Sequence, residues 1–304
     1  MIKVGFCVSY DWEFLKHSIP RVYQEADIIC LALDKDRHSW KCNPYQFDDD
    51  AFYAFVKSID TQNKIDIYED DFSMSELNSR ENCNRHRMMI ADRMGKGGWH
   101  IQVDSDEYFL DFSAFVKDLK KIHTNPTGNE FPINVCCPII PLYKKTKEGF
   151  LVVTYNQQIP EVFPMASNKP NYQRARHNGY FNIWTKNWII HETWARDKDA
   201  MLYKLRNWGH SAEELHQQKY ALSYYNLWQN TDEYNYQFIK QFHPASPKVW
   251  EQLSYIEANN IDELIQNLKI PKFPLSNLQL AFKNSINYSR LAKIFPFLRI
   301  ETSL

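Results

Sequence analysis

The sequence predicts an α/β protein with a mixed sheet flanked by helices, and three observations predict it. Short apolar runs alternate with helical periodicity over the first 110 residues. A glycine cluster, Gly95, Gly97 and Gly98, closes a long helical stretch just before another apolar run. That run, Ile101 to Val103, stops at two carboxylates one residue apart, Asp104 and Asp106. In sheets of this kind the carboxyl ends of the strands open into the crevice where ligands bind.

Taken in order, residues 2–9 read as a first strand, 12–25 as a helix, and 27–33 as a second strand ending at Asp34. Helical periodicity returns at 49–59, a short strand is expected at 65–68, and an amphipathic helix at 75–94. Strand ends at Ser9, Asp34, Glu69 and Asp104 then share one crevice if the strands are parallel. The middle section is extended at 131–143, 150–158 and 180–190, with Pro, Asn and Gly turns between. From about Ala195 the pattern becomes helical, clearest at 195–208 and 211–228. These shifts divide the chain into 1–200, with halves 1–110 and 111–200, and a helical C-terminal extension, 201–304.

Composition narrows the function. A chain of 304 residues can bury a sizeable core, and a net charge of −1 supplies no surface-wide basic field for nucleic acid. The six cysteines show no C-x-x-C spacing and most sit in apolar surroundings, which fits a reducing, cytoplasmic setting. Neither a signal-peptide core nor a run long enough to span a membrane is found. Aromatic residues make up 15% of the chain, and their faces stack on sugars and nucleobases as readily as they fill a core. The tail, 275–304, interleaves Lys283, Arg290, Lys293 and Arg299 with Phe282, Tyr288, Phe295, Phe297 and Leu298. Such a tail either packs on the chain, with Pro296 breaking any long apolar face, or touches an anionic membrane surface.

Carboxylates at i and i+2 beyond a strand end suit a hard divalent cation, which takes oxygen ligands and keeps positions for phosphate. The sequence around them carries a resemblance. Alternating strands and helices, an Asn/Arg-rich helix over 78–94, and then Trp99, Asp104, Asp106, Glu107 and Tyr108 resemble the nucleotide-sugar half of GT-A glycosyltransferases. More narrowly they resemble family-2-like bacterial enzymes whose motif reads W-x4-D-x-D-E-[FY]. The likeness covers residues 1–110 well and 111–200 loosely.

The resemblance implies a GT-A, Rossmann-like fold and a hexosyltransferase-type enzyme. It implies transfer of a sugar from a UDP- or GDP-sugar to a glycan or lipid-linked acceptor, by inversion, in bacterial surface polysaccharide synthesis. Mn²⁺ or Mg²⁺ is the expected cofactor, held by Asp106 and Asp104, with His191 at the end of an apolar stretch as a downstream ligand. Asp104 can instead face the ribose. Ser9 and Tyr10 are expected at the nucleobase, Asp34 at a ribose hydroxyl or base, and Arg87 at the diphosphate. Arg85 and Arg87 point roughly 200° apart on a helix, so one of them serves. An inverting transfer needs a carboxylate base, for which Glu192 ranks first, Asp197 second and Glu161 third. Neighbours on a strand face opposite ways, so His191 and Glu192 conflict unless the strand bends. Arg174, Arg176 and His177 either grip an acidic acceptor or lie in an exposed loop, and Trp194 and Trp208 either pack in the core or stack on the acceptor sugar. A nucleotidyltransferase is the rival enzyme, disfavoured by the missing glycine-rich phosphate loop. The rival from another class is a non-catalytic carbohydrate-binding protein that kept the fold.

Overall fold

The computed structural model describes residues 1–155, 158–207, 218–240, 242–243, 250–295 and 300. Its N-terminal half alternates β1 (Ile2–Val8), α1 (Leu15–Val22), β2 (Ile28–Asp34), α2 (Asp49–Ile59), β3 (Ile65–Asp70), α3 (Ser79–Arg93) and β4 (Trp99–Asp104). The four strands are parallel in the order β3-β2-β1-β4. Every residue of β1 is buried, as expected of a parallel strand covered on both faces. The chain walks outward from β1 to β3 and then crosses to β4 on the other side, so the order reverses at β1. Cys7 of β1 lies opposite Asp104 of β4, and the crevice of that switch point opens just beyond them.

The helices follow from local chemistry. Asn78 caps α3, its side chain accepting from the amides of Arg80 and Glu81 at 3.0 Å while Glu81 returns a bond to Asn78. This capping box starts the helix at Ser79, four residues after the expected start. The amphipathic pattern expected there is absent, because the buried side of α3 includes Asn82, His86 and Arg87 beside Cys83 and Ile90. Gly5 lets α3 close on β1: a Cβ there would stand 2.4 Å from the Ile90 side chain.

The second half is mostly antiparallel. After β5 (Glu107–Phe109) and α4 (Phe112–Ile122) come β6 (Ile133–Lys145), β7 (Gly149–Thr154), β8 (Val162–Ser167), β9 (Phe181–Trp184) and β10 (Ile189–His191). β8 joins β4 to β6, completing a mixed sheet, while β6 also pairs in parallel with β9 and β10. The stretch expected at 180–190 is thus two strands, and β8 had no counterpart in the sequence pattern. Trp99 of the W-x4-D-x-D motif is fully buried and donates to the His123 carbonyl at 2.8 Å, a core role at the base of β4.

Beyond these lie α5 (Lys198–Asn207), α6 (Gln218–Asn230), β11 (Gln252–Glu257), α7 (Ile261–Asn267), α8 (Asn277–Lys283) and α9 (Ile286–Ile294). The expected boundary at 200/201 falls inside α5. The expected helical extension also supplies a sheet strand, since β11 pairs with β7 along its whole length. An aromatic cluster including Tyr143, Trp194, Tyr224, Trp228 and Trp250 draws side chains from both sides of that boundary. In the tail, Lys283 is buried, lies 3.8 Å from the Trp184 ring centroid and donates to the Asn182 carbonyl, so α8 packs on the chain. Leu278 and Ile294 remain exposed. Phe297, Leu298 and Arg299 lie outside the described residues, as do Trp208 and the side chain of Lys293. Among the described residues no helix is long and apolar enough to cross a membrane.

Candidate active site

A cavity of about 500 Å³ opens at the switch point, bounded by the ends of β1 and β4, the middle of β6, the start of β8 and helix α5. Ser9, Tyr10, Arg87, Asp104, Asp106 and His191 all line it, and so do Glu161, Arg174, Arg176, His177 and Trp194 of the expected residues. Tyr10 is held edge-on between Tyr203, at 4.5 Å between ring centroids, and Tyr45, at 6.1 Å.

The two aspartates of the motif sit in different charge environments. Asp104 accepts from Arg87 at 2.7 Å, and Arg176 stands 3.8 Å from its other oxygen. Burial opposes its ionisation, but Arg87 and then Arg176 prevail and hold its pKa below the ordinary value. Asp106 is deeper, 4% exposed, and one oxygen receives both Arg196 at 2.6 Å and Lys204 at 2.7 Å. Its other oxygen faces His191 Nε2 at 3.5 Å. Burial pushes this carboxyl up, and Lys204, His191 and Arg196 overcome it, keeping Asp106 ionised well below the usual carboxylate range. Arg196 also donates to Asp11 at 2.9 Å, tying the end of β1 to the same cluster.

Glu107 serves this cluster from behind. It is 1% exposed, forms a two-pronged pair with Arg176, one prong at 2.8 Å, and accepts from the Asp104 amide at 2.9 Å. The motif's glutamate therefore fixes the turn that presents both aspartates. Arg176, expected at an acceptor, is committed to that pair. Asn84 carries no ligand role either: its amide bridges the Gln173 carbonyl at 2.6 Å and the Ala175 amide at 2.9 Å.

Three expected residues are elsewhere. Asp34 is buried and accepts from the amides of Asp36, His38, Phe72 and Ser73 at 3.0–3.3 Å, which saturates it as a loop staple and leaves nothing for a ribose. Glu192 does not line the cavity. At the end of β10, His191 and, two residues on, Thr193 line the cavity, and Glu192 between them points to the opposite side, where Tyr108 donates to it at 2.6 Å. Burial pushes its pKa up to about 7. Asp197 is exposed and caps α5, accepting from the Ala200 amide at 2.8 Å. Arg85 binds the Asp71 carbonyl, so Arg87 is the arginine of α3 that reaches the cavity.

Lys204 and Arg196 escaped the sequence reading, as did Asp11. Asp11 had a signal, since it follows Tyr10 directly at the end of β1. Lys204 had none, because a lysine in a helix is ordinarily solvated.

For a divalent cation, no group of three or more His, Cys, Asp or Glu side chains forms a self-sufficient site among the described residues. Asp106 and His191 nonetheless present an oxygen and a nitrogen 3.5 Å apart at the cavity wall. A carboxylate with an imidazole, completed by substrate phosphates, is a donor set that Mn²⁺ accepts.

No family model matches the chain. No curated protein matches it at a significant level either. Among solved structures, 17 chains match. One is the crystal structure of S. aureus TarS 1-349, with 10% identity and a TM-score of 0.33 over 56% of this chain and 47% of that one. The matched region thus spans about half the length of each protein. The α/β class rests on the topology described above, and the chemistry rests on the cavity itself.

Proposed function

We propose that this protein is a glycosyltransferase that moves a sugar from a nucleoside-diphosphate donor, UDP- or GDP-linked, to a glycan or lipid-linked glycan acceptor. The observation that supports it is the convergence of Asp104, Asp106 and His191 with Tyr10 and cationic side chains around one cavity at the switch point of a parallel sheet. Tyr10 and the end of β1 would offer an aromatic edge and backbone amides to the base, and Asp104 would face the ribose.

Asp106 and His191, with Asp104 beside them, would hold Mn²⁺ or Mg²⁺. That ion supplies neutralisation of the charge gathering on the departing diphosphate. The chain's own part is to keep Asp106 ionised through Lys204 and Arg196 and to place Arg174 at the mouth. Arg174 is exposed, lines the cavity and has no carboxylate partner among the described residues, so its guanidinium is free for a phosphate. The acceptor hydroxyl enters from the side of Phe163, Trp194 and Trp250, whose rings suit the apolar face of a sugar. Synthesis of a surface polysaccharide is the setting that this chemistry fits, and a lipid-linked acceptor would bring the protein to the inner membrane face.

The test is thermal stability against UDP-, GDP-, CMP- and dTDP-sugars with and without Mn²⁺. A ligand at 100 times its dissociation constant adds about 2.7 kcal/mol to the native state. The expected result is a rise in melting temperature with one nucleotide class, larger with Mn²⁺. A folded protein that shifts with none of them overturns the reading.

A further inference from the structure

We infer that Glu161 is the base that takes the proton from the acceptor hydroxyl, an assignment that rests on the glycosyltransferase reading above. Of the carboxylates lining the cavity, Asp11, Asp104 and Asp106 each carry an Arg or Lys partner. Glu161 is different. It is 3% exposed, and its polar partners are the Trp250 indole at 2.8 Å and the Tyr155 hydroxyl at 3.4 Å, both on one oxygen. The other oxygen faces His243 Nε2 at 3.5 Å. One carboxylate oxygen is thus fixed by neutral donors, while the other has, among the described residues, an imidazole beside it and no Lys or Arg.

Sheet register sets its place. Ile139 donates its amide to the Glu161 carbonyl, and Pro141, two residues along the same strand, pairs with His191. β6 therefore runs between Glu161 and His191, and Ile139 and Pro141 form the cavity floor that separates them. Two strand spacings of about 4.8 Å, with an offset of two residues, put the two backbones on the order of 11 Å apart. Both side chains line the one cavity, so a pyranose ring between them would carry its attacking hydroxyl on the face opposite the leaving group, the geometry an inverting displacement needs. The acceptor oxygen forms its bond to the anomeric carbon, and the bond from that carbon to the diphosphate oxygen breaks. Its electron pair leaves on the nucleoside diphosphate, and the hydroxyl proton passes to Glu161 and then to solvent.

The test compares wild type with Glu161→Gln, using whichever nucleotide sugar of the panel raises the wild-type melting temperature and reading nucleoside-diphosphate release with water as acceptor. The expected result is an unchanged donor-induced shift with release lowered about 10²- to 10⁴-fold, the usual contribution of a general base. Release within threefold of wild type, with the shift intact, overturns the assignment alone. A wild type that shifts with no donor overturns the transferase reading and this assignment with it. If the Gln variant does not fold, Glu161→Asp, which keeps the charge but withdraws it by one methylene, decides the matter. A tenfold or greater loss of release with normal donor binding supports the assignment, and full release overturns it.

Discussion

The two walls of the cavity solve opposite problems. Around Asp106 the charges are dense and mutually compensated, with Arg196, Lys204 and His191 on one carboxylate and Arg87 and Arg176 beside its neighbour. Around Glu161 the surroundings are an indole, a phenol and an imidazole, and no Lys or Arg pairs with it among the described residues. A compensated carboxylate is held ionised and makes a fixed electrostatic feature. A carboxylate held by neutral donors keeps an oxygen that no cation of Lys or Arg occupies among the described residues. The contrast separates the wall that stabilises charge from the wall that moves protons.

The largest test of the compensated wall is Asp106→Asn, which keeps the shape and removes the charge. Donor-dependent turnover should fall roughly 10³-fold or more, and the Mn²⁺-dependent part of the donor thermal shift should vanish, as read by nucleotide release and melting curves. Arg176→Met should come next. It strands Glu107, at 1% exposure, without its partner, and urea denaturation should show a loss of about 3–5 kcal/mol.

Glu192→Gln sharpens the comparison by testing the carboxylate that only borders the site. With its pKa raised from 4.5 to about 7, Glu192 favours the folded state when protonated. Its favourable contribution is complete below about pH 4.5 and is lost as pH rises towards 7. The Gln variant should therefore be more stable than wild type at pH 8, by on the order of 3 kcal/mol, with the gain shrinking to nothing near pH 4.5 in paired denaturation curves. Nucleotide release should stay within a fewfold of wild type. The smallest effect is expected for Arg174→Ala, where donor affinity falls about tenfold by calorimetry while stability moves by less than about 0.5 kcal/mol.

What could be read in the chain followed from local chemistry. The strands of the parallel half were legible because β1 and β2 are near-continuous apolar runs and β3 and β4 alternate apolar with polar residues, and the aspartates were placed by the strand that ends at Asp104. Residues whose role depends on distant pairing were not. Asp34 has the look of a ligand at a strand end, yet four amides of two loops converge on it. Glu192 lost its expected place through strand alternation, a conflict the sequence already showed. Glu161 gained its place through the pairing of β6 with β8 and β10, which no local pattern states. Lys204 reaches Asp106 because α5 folds back over the cavity, and nothing in its own helix turn distinguishes it from a solvated lysine.

The Asn84 carboxamide has a consequence for how such a protein can diverge. It grips the backbone on both sides of Arg174, and Ala175 is held at a φ of +53° within that grip. The position of the guanidinium at the cavity mouth is thereby inherited from α3 and not from the loop that carries it. The flanking loop sequence can drift, and with it the shape of whatever enters, while the charge at the doorway stays where the helix put it.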